Sequence, residues 1–253
     1  MAPPPRTTVG LGQILFRFRS FTPVPVLVGL GFLLARSRNL FGPGGARVDG
    51  GLDVVGLVLA FAGQALRFYT LGQVPEGTSG QGDRLEASAL NTRGPYAHVR
   101  NPLYVGNLGI CLGLMLVAND PWVYGLGLAF FFGEYFFIIR AEENFLRGQF
   151  GDAFNDFVAR VPRWIPRISP AYSGNLRTRM DVRRALKKEH NPFAAWASGA
   201  VALLLWERWA RGTLTPTVLW TLGGLEIAVL VAFVVIKGLK RGYFGKWQTA
   251  GYR

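Results

Sequence analysis

The chain has 253 residues, half of them hydrophobic, with 28 Lys and Arg against 15 Asp and Glu, a formal charge of +13, two His and one Cys. A mean hydropathy of +0.23 on so basic a chain excludes the disordered, acidic and ordinary soluble classes together. Cys111 stands alone, so an intramolecular disulfide and a cysteine metal cluster are excluded, and the sequence assigns no metal ligands.

Blocks nearly free of charge occupy residues 21–35, 52–69, 103–118, 122–139, 193–206 and 217–236. They predict an all-α, multi-pass transmembrane bundle of about six spans, several of them shorter than the roughly 20 apolar residues of a perpendicular crossing. Arg17, Arg19, Arg36 and Arg38 flank the first block with stems long enough to snorkel to the headgroups. Gly50, Gly51, Gly56 and Gly63, and later Gly106, Gly109, Gly113, Gly125, Gly127 and Gly133, thread the blocks at spacings that let helix backbones approach closely.

The connector Asn119-Asp120-Pro121 is a hairpin turn without Lys or Arg and fits the outer side of the membrane. The connector 140–192 is rich in Arg and Lys, the excess expected of a cytoplasmic segment, and the tail with Lys237, Lys240, Arg241, Lys246 and Arg253 agrees. Six spans then place both termini in the cytoplasm, with Arg36, Arg38 and Arg47 dissenting in the first outer loop. Met1 to Pro5 lacks a basic leader region, so the first block is expected to be retained as an anchor. The positive charge is assigned to topology and anionic lipid rather than to nucleic acid, because no groove-reading motif accompanies it. There is no P-loop, GxGxxG, HExxH or GxSxG.

Two inner segments carry chemistry-bearing residues. The first, NTRGPYAHVRNPLYVG over 91–106, sets Arg93, Tyr96, His98, Arg100, Asn101 and Tyr104 against the third span. Gly94-Pro95 predicts a turn, Pro102 the first turn of a helix and Asn101 its N-cap, where the positive helix end favours a carboxylate or phosphate. An interfacial belt of Tyr and Arg is the other reading of this segment. The second, RAEENFLRGQFGDAFNDFVARVPRWIP over 140–166, spaces Phe145, Leu146, Phe150, Phe154, Phe157 and Val158 as an amphipathic helix along the membrane surface. Adjacent Glu142 and Glu143 at the bilayer boundary require cations, with Arg100, Arg140 or a cationic ligand as candidates.

Taken together, GPYAHVRNPLYVG, a hydrophobic hairpin and EENFLRGQFGDAFNDFVARVP resemble the integral-membrane methyltransferases of the isoprenylcysteine carboxyl methyltransferase and phospholipid methyltransferase superfamily. The resemblance covers about residues 80–167 and implies a membrane bundle whose cytoplasmic segments enclose S-adenosylmethionine beneath a lipid-accessible opening. It implies cofactor positions at Tyr96, Asn101, Pro102, Leu103, Tyr104 and Glu142, and, by extension upstream, at Gln81, Ser88, Ala89, Leu90 and Asn91. Asn101 stands where the family usually has His, and Ile138 where the prenylcysteine enzymes carry a substrate-contacting Arg. Arg100, Arg140 and Glu143 are the catalytic candidates, Glu143 divided between an ion pair with Arg100 or Arg140 and a substrate-facing role. His98 and His190 are assigned to the interface rather than to catalysis.

The expected activity is methyl transfer from S-adenosylmethionine to a lipid-like or amphipathic acceptor, as in isoprenylcysteine carboxyl methylation. The alternatives are amine methylation of a phospholipid, a nicotinamide-dependent membrane reductase of related architecture, and a non-catalytic scaffold or transporter. Residues 1–167 form the expected methyltransferase core, with boxes at 80–106 and 140–166. Residues 168–253 add a basic linker and two helices to the same membrane domain, with Glu207 and Glu226 as polar outliers. The expected partners are a lipid-like small molecule and membrane lipids, with further copies of the chain as an open alternative and no nucleic acid.

Overall fold

The computed structural model describes residues 10–19, 29, 31, 46–74, 85, 87–172, 180–241 and 243, and only the backbone of 46–48. Every regular element among them is helical: α1 (Leu11–Phe18), α2 (Ala46–Gln73), a 3-10 turn (Gly94–Ala97), α3 (Pro102–Ala118), α4 (Pro121–Phe150), α5 (Asp152–Arg160), α6 (Val182–Ala210) and α7 (Pro216–Arg241). Three helices are long and apolar enough to cross a membrane, within α2, α4 and α7, and α3 is a shorter apolar helix of 17 residues. The predicted block 21–35 lies almost wholly outside the described residues, as does Gln81. The predicted block 193–206 is the apolar stretch of the longer α6, bracketed by Lys187, Lys188 and Glu189 before it and Glu207, Arg208 and Arg211 after it. At 1.5 Å per residue such a stretch is roughly 20 Å long, short of the roughly 30 Å hydrocarbon core.

The α2/α3 pair is the backbone of the bundle, and glycine explains its closeness. A Cβ on Gly113 would lie 2.8 Å from Ala60 Cβ, and one on Gly106 would lie 2.7 Å from the Gly63 carbonyl oxygen. Gly56 meets Gly113 and Gly63 meets Gly106, an antiparallel register in which small residues let the main chains touch. α6 packs across this pair, burying Trp196, Ala197 and Ala200 against Ala60 and Ile110. α7 lies outside α6, tied to it by Ser198 Oγ donating to Glu226 Oε1 at 2.8 Å. At the far end Arg211 pairs with Asp49 and, at 3.0 Å, with Glu207, so Glu207 is a structural carboxylate among arginines.

The hairpin between α3 and α4 follows the sequence expectation. Asn119 takes a left-handed conformation, Asp120 caps α4 by accepting from the amides of Trp122 (2.8 Å) and Val123 (3.1 Å), and Pro121 opens the helix. The segment 140–166 differs from its expectation. α4 runs without a break through Glu142 and Glu143 to Phe150, and only Gly151, at φ +51°, stops it before α5 begins. The amphipathic pattern is therefore split between two helices, and its apolar face is turned onto protein: Phe154, Phe157 and Val161 are buried with Leu90, Leu146 and Phe150. α1 packs on α4, where Gly12 approaches the Phe137 carbonyl too closely for any side chain.

Candidate active site

The two boxes converge because the chain following α5 is sewn to the turn preceding α3. Arg100 N donates to Pro162 O at 2.8 Å, Arg167 N to His98 O at 2.9 Å, and Ala171 N to Ala97 O at 2.8 Å. The His98 ring nitrogen Nδ1 lies 2.7 Å from the Arg167 carbonyl, which makes His98 part of this seam. Asn101 occupies the N-cap position of α3 without capping it, and its Nδ2 instead donates to Arg163 O at 3.3 Å. The N-cap expectation holds for the backbone and fails for the side chain, because the neighbouring strand of coil offers the amide a carbonyl.

Beneath the seam lies a cavity of about 700 Å³ including its open mouth, lined among others by Leu90, Asn91, Tyr96, Arg100, Tyr104 and Glu142. Ala89, Asn101 and Leu103 also face it, together with Phe145, Leu146 and Phe157 from α4 and α5. Of the remaining expected positions, Ser88 is exposed and Pro102 is buried, and neither lines the cavity. Tyr104 from the first box donates its hydroxyl to Glu142 Oε1 of the second at 2.8 Å. Arg19, at the end of α1, acts electrostatically on the same carboxylate. Burial, reinforced by the Glu142 charge, holds the Tyr96 hydroxyl well above the ordinary tyrosine range, so it remains a proton donor.

Glu143 turns away from the cavity and takes a structural place. It accepts from Arg100 Nη1 at 2.8 Å and from Arg163 at 3.1 Å (Nε to Oε1) and 2.6 Å (Nη2 to Oε2). Burial lowers the Arg100 guanidinium from its usual value and the Glu143 charge opposes that. Arg100 Nε is buried without a hydrogen-bond partner while the side chain lines the cavity. Arg140 does not join them. Two residues along a helix turn the side chain by about 200°, so with Glu142 facing inward Arg140 is exposed and away from the cavity. Ile138, by contrast, is fully buried.

Several contributors escaped the sequence reading. From the sequence alone, Arg163 is one more of the basic residues of the connector 140–192. Tyr135 packs on Tyr104 with ring centroids 4.6 Å apart, on Phe131 at 4.4 Å and edge-on to Trp164 at 6.4 Å, forming an aromatic wall behind Glu142. Its hydroxyl accepts from Asn107 Nδ2 at 2.5 Å. The cue was available: Tyr104, Asn107 and Tyr135 are polar residues inside apolar blocks, where each needs a partner.

Residues 52–153 match the family model for phospholipid methyltransferase, a family of the isoprenylcysteine carboxyl methyltransferase and phospholipid methyltransferase superfamily. The cobalt-zinc-cadmium resistance protein CzcN of Cupriavidus metallidurans is 37% identical over 82 residues, 32% of this chain and 38% of that protein. The nickel-cobalt-cadmium resistance protein NccN of Alcaligenes xylosoxydans xylosoxydans is 32% identical over 84 residues, 33% of this chain and 39% of that protein. The chain thus spans about two fifths of the length of the curated relatives it matches. No solved structure is significantly similar to it.

Proposed function

We propose that the protein is an integral-membrane methyltransferase that takes its methyl group from S-adenosylmethionine and delivers it to a lipid-like acceptor on the cytoplasmic side. The observation that carries this reading is the Tyr104–Glu142 hydrogen bond, which joins the two boxes at one cavity. The residues there fit the donor's chemistry. Glu142 is an anionic partner for an ammonium, and the unpartnered Nε of Arg100 is a donor for a carboxylate. Leu90, Leu103 and Phe157 offer apolar surface to an adenosine.

The donor supplies an electrophilic sulfonium methyl, so the protein's work is alignment and exclusion of water. Glu142 is held in one orientation by the Tyr104 hydroxyl, and Tyr96 supplies a second protonated hydroxyl to the cavity. The Glu143 clamp fixes Arg100 against the α3 entrance, and Leu146 of α4 and Phe157 of α5 close the cavity. The chain leaves the acceptor's nucleophile to the acceptor itself: Arg100 and Asn101 can steer an anionic head toward the cavity mouth.

An amine-bearing phospholipid is favoured over a prenylated cysteine by one observation. The position matching the prenylcysteine-contacting Arg is the fully buried Ile138, and exposed Arg140 cannot replace it. Incubation of the purified protein and methyl-labelled donor with native membranes tests both levels. A labelled lipid that survives alkali supports amine methylation, whereas label released as methanol identifies a methyl ester. A protein that binds donor yet labels nothing across lipid extracts contradicts the enzymatic reading in favour of a scaffold.

A further inference from the structure

Glu189 lies in α6, beyond the segment that matches the family, and is 2% exposed. An ionised carboxylate so deep in the bundle needs several donors, and it has them. Arg67 of α2 grips it through Nε to Oε2 at 2.9 Å and Nη2 to Oε1 at 2.7 Å, and Gln64 Nε2 donates to Oε2 at 2.7 Å. From this centre two branches leave. One runs outward through Gln64 Oε1, which accepts from Trp196 Nε1 at 2.8 Å. The other runs toward the cavity: Arg67 Nη1 donates to Asn107 Oδ1 at 2.5 Å, and Asn107 Nδ2 donates to the Tyr135 hydroxyl at 2.5 Å. Tyr135 then packs on Tyr104, whose hydroxyl holds Glu142.

The polarity of this chain of bonds has one solution. A carboxylate only accepts and a guanidinium only donates, so Glu189 fixes Arg67, and Arg67 fixes which end of the Asn107 amide faces Tyr135. An amide turned the other way would set its NH₂ group against a cation and its oxygen against the Tyr135 hydroxyl. Removing the carboxylate therefore changes more than one contact, because a buried guanidinium without its counter-charge has to find another place. Arg67 cannot move freely: its Cγ is the nearest atom to a Cβ built on Gly106, at the tightest point of the α2/α3 contact.

We infer that Glu189 is a positioning residue for the donor cavity, acting through Arg67 and Asn107 on the Tyr135–Tyr104 wall that orients Glu142. The inference rests on the methyltransferase reading and gives the C-terminal helices a function in it: α6 supplies the anchor that the family segment does not contain. The Trp196 branch leads away from the donor cavity, into the packing of Trp196 against Ala60 and Ile110.

The test is donor affinity measured by calorimetry on the purified full chain, with a parallel thermal melt, in parent, Glu189→Gln, Asn107→Ala, Trp196→Phe, Tyr135→Phe and the Glu189→Gln/Tyr135→Phe pair. The expected result is about fivefold weaker binding in Glu189→Gln and in Asn107→Ala, the scale of one hydrogen bond and no larger than the loss expected on removing the Tyr104 hydroxyl through which the path acts. Trp196→Phe is expected to lower the melting temperature while binding within about twofold of the parent. In the Tyr135→Phe background, where the path is already cut, Glu189→Gln should add less than about twofold. Parent-like affinity in Asn107→Ala or in folded Glu189→Gln overturns the inference. So does an equal loss in Trp196→Phe, or full additivity with Tyr135→Phe. If Glu189→Gln does not fold, Asn107→Ala decides the matter alone. Absence of donor binding by the parent overturns the methyltransferase reading itself, an outcome distinct from all of these.

Discussion

Replacing Glu143 by Gln tests whether the two boxes are held together by charge. The carboxylate receives three hydrogen bonds from two arginines that arrive from different segments, Arg100 before α3 and Arg163 after α5. The two arms differ in weight. The Arg100 side chain is 14% exposed and that of Glu143 11%, whereas Arg163 is 42% exposed and its share is screened by water and salt. Breaking a fully buried pair costs about 3–5 kcal/mol, and an exposed pair contributes about 0–1 kcal/mol. For this intermediate case, with Gln retaining one acceptor, we expect a loss of about 2 kcal/mol. In a chain of this size that lowers the melting temperature by roughly 4–8 °C. The assay is thermal unfolding in detergent at low and high salt. The Arg163→Gln loss should shrink with salt and the Glu143→Gln loss should largely persist. A Glu143→Gln melt within 1 °C of the parent, or one equally sensitive to salt as Arg163→Gln, refutes the clamp.

Three further substitutions check other parts of the account. Gly63→Val places a branched side chain against the Gly106 carbonyl and Ile110 N, and should destabilise the bundle by at least about 1–3 kcal/mol, read as a fall in melting temperature; a parent-like melt contradicts the α2/α3 register. Arg140→Ala should leave donor affinity within about twofold while Arg100→Ala weakens it about tenfold or more, read by equilibrium binding; the reverse order would show that the inward face of α4 is assigned to the wrong residues.

Much of the site was legible because the sequence joins turn chemistry to polar residues at block edges. Gly94-Pro95, Pro102 and Asn119-Asp120-Pro121 each dictate local backbone, and the structure places a turn or a helix start at each. The paired carboxylates were visible as a cost that something must offset, but their division of labour was not. Adjacent residues on a helix point about 100° apart, and the partners divide them: Arg100 and Arg163 draw Glu143 into the seam while Tyr104 holds Glu142 at the cavity. The break at Gly151 was hidden by a hydrophobic pattern that keeps its period across the interruption, so two helices read as one. Glu189 was hidden for a different reason. Flanked by Lys187 and Lys188, it reads as part of a solvated charge run, and its burial comes from α2 partners more than a hundred residues away. The first predicted span lies almost wholly outside the described residues, so the count of six is carried by the sequence pattern alone.

The central claim is that one cavity, walled by both boxes, grips the methyl donor through Glu142. Equilibrium binding of labelled S-adenosylmethionine to the purified protein, compared with Glu142→Gln and Tyr104→Phe at matched folding, tests it most directly. The account predicts saturable binding by the parent, about tenfold or greater weakening in Glu142→Gln, and a smaller, few-fold weakening in Tyr104→Phe, which removes only the neutral hydroxyl that orients the carboxylate. No saturable binding by the folded parent, or equal affinity in all three proteins, would contradict it.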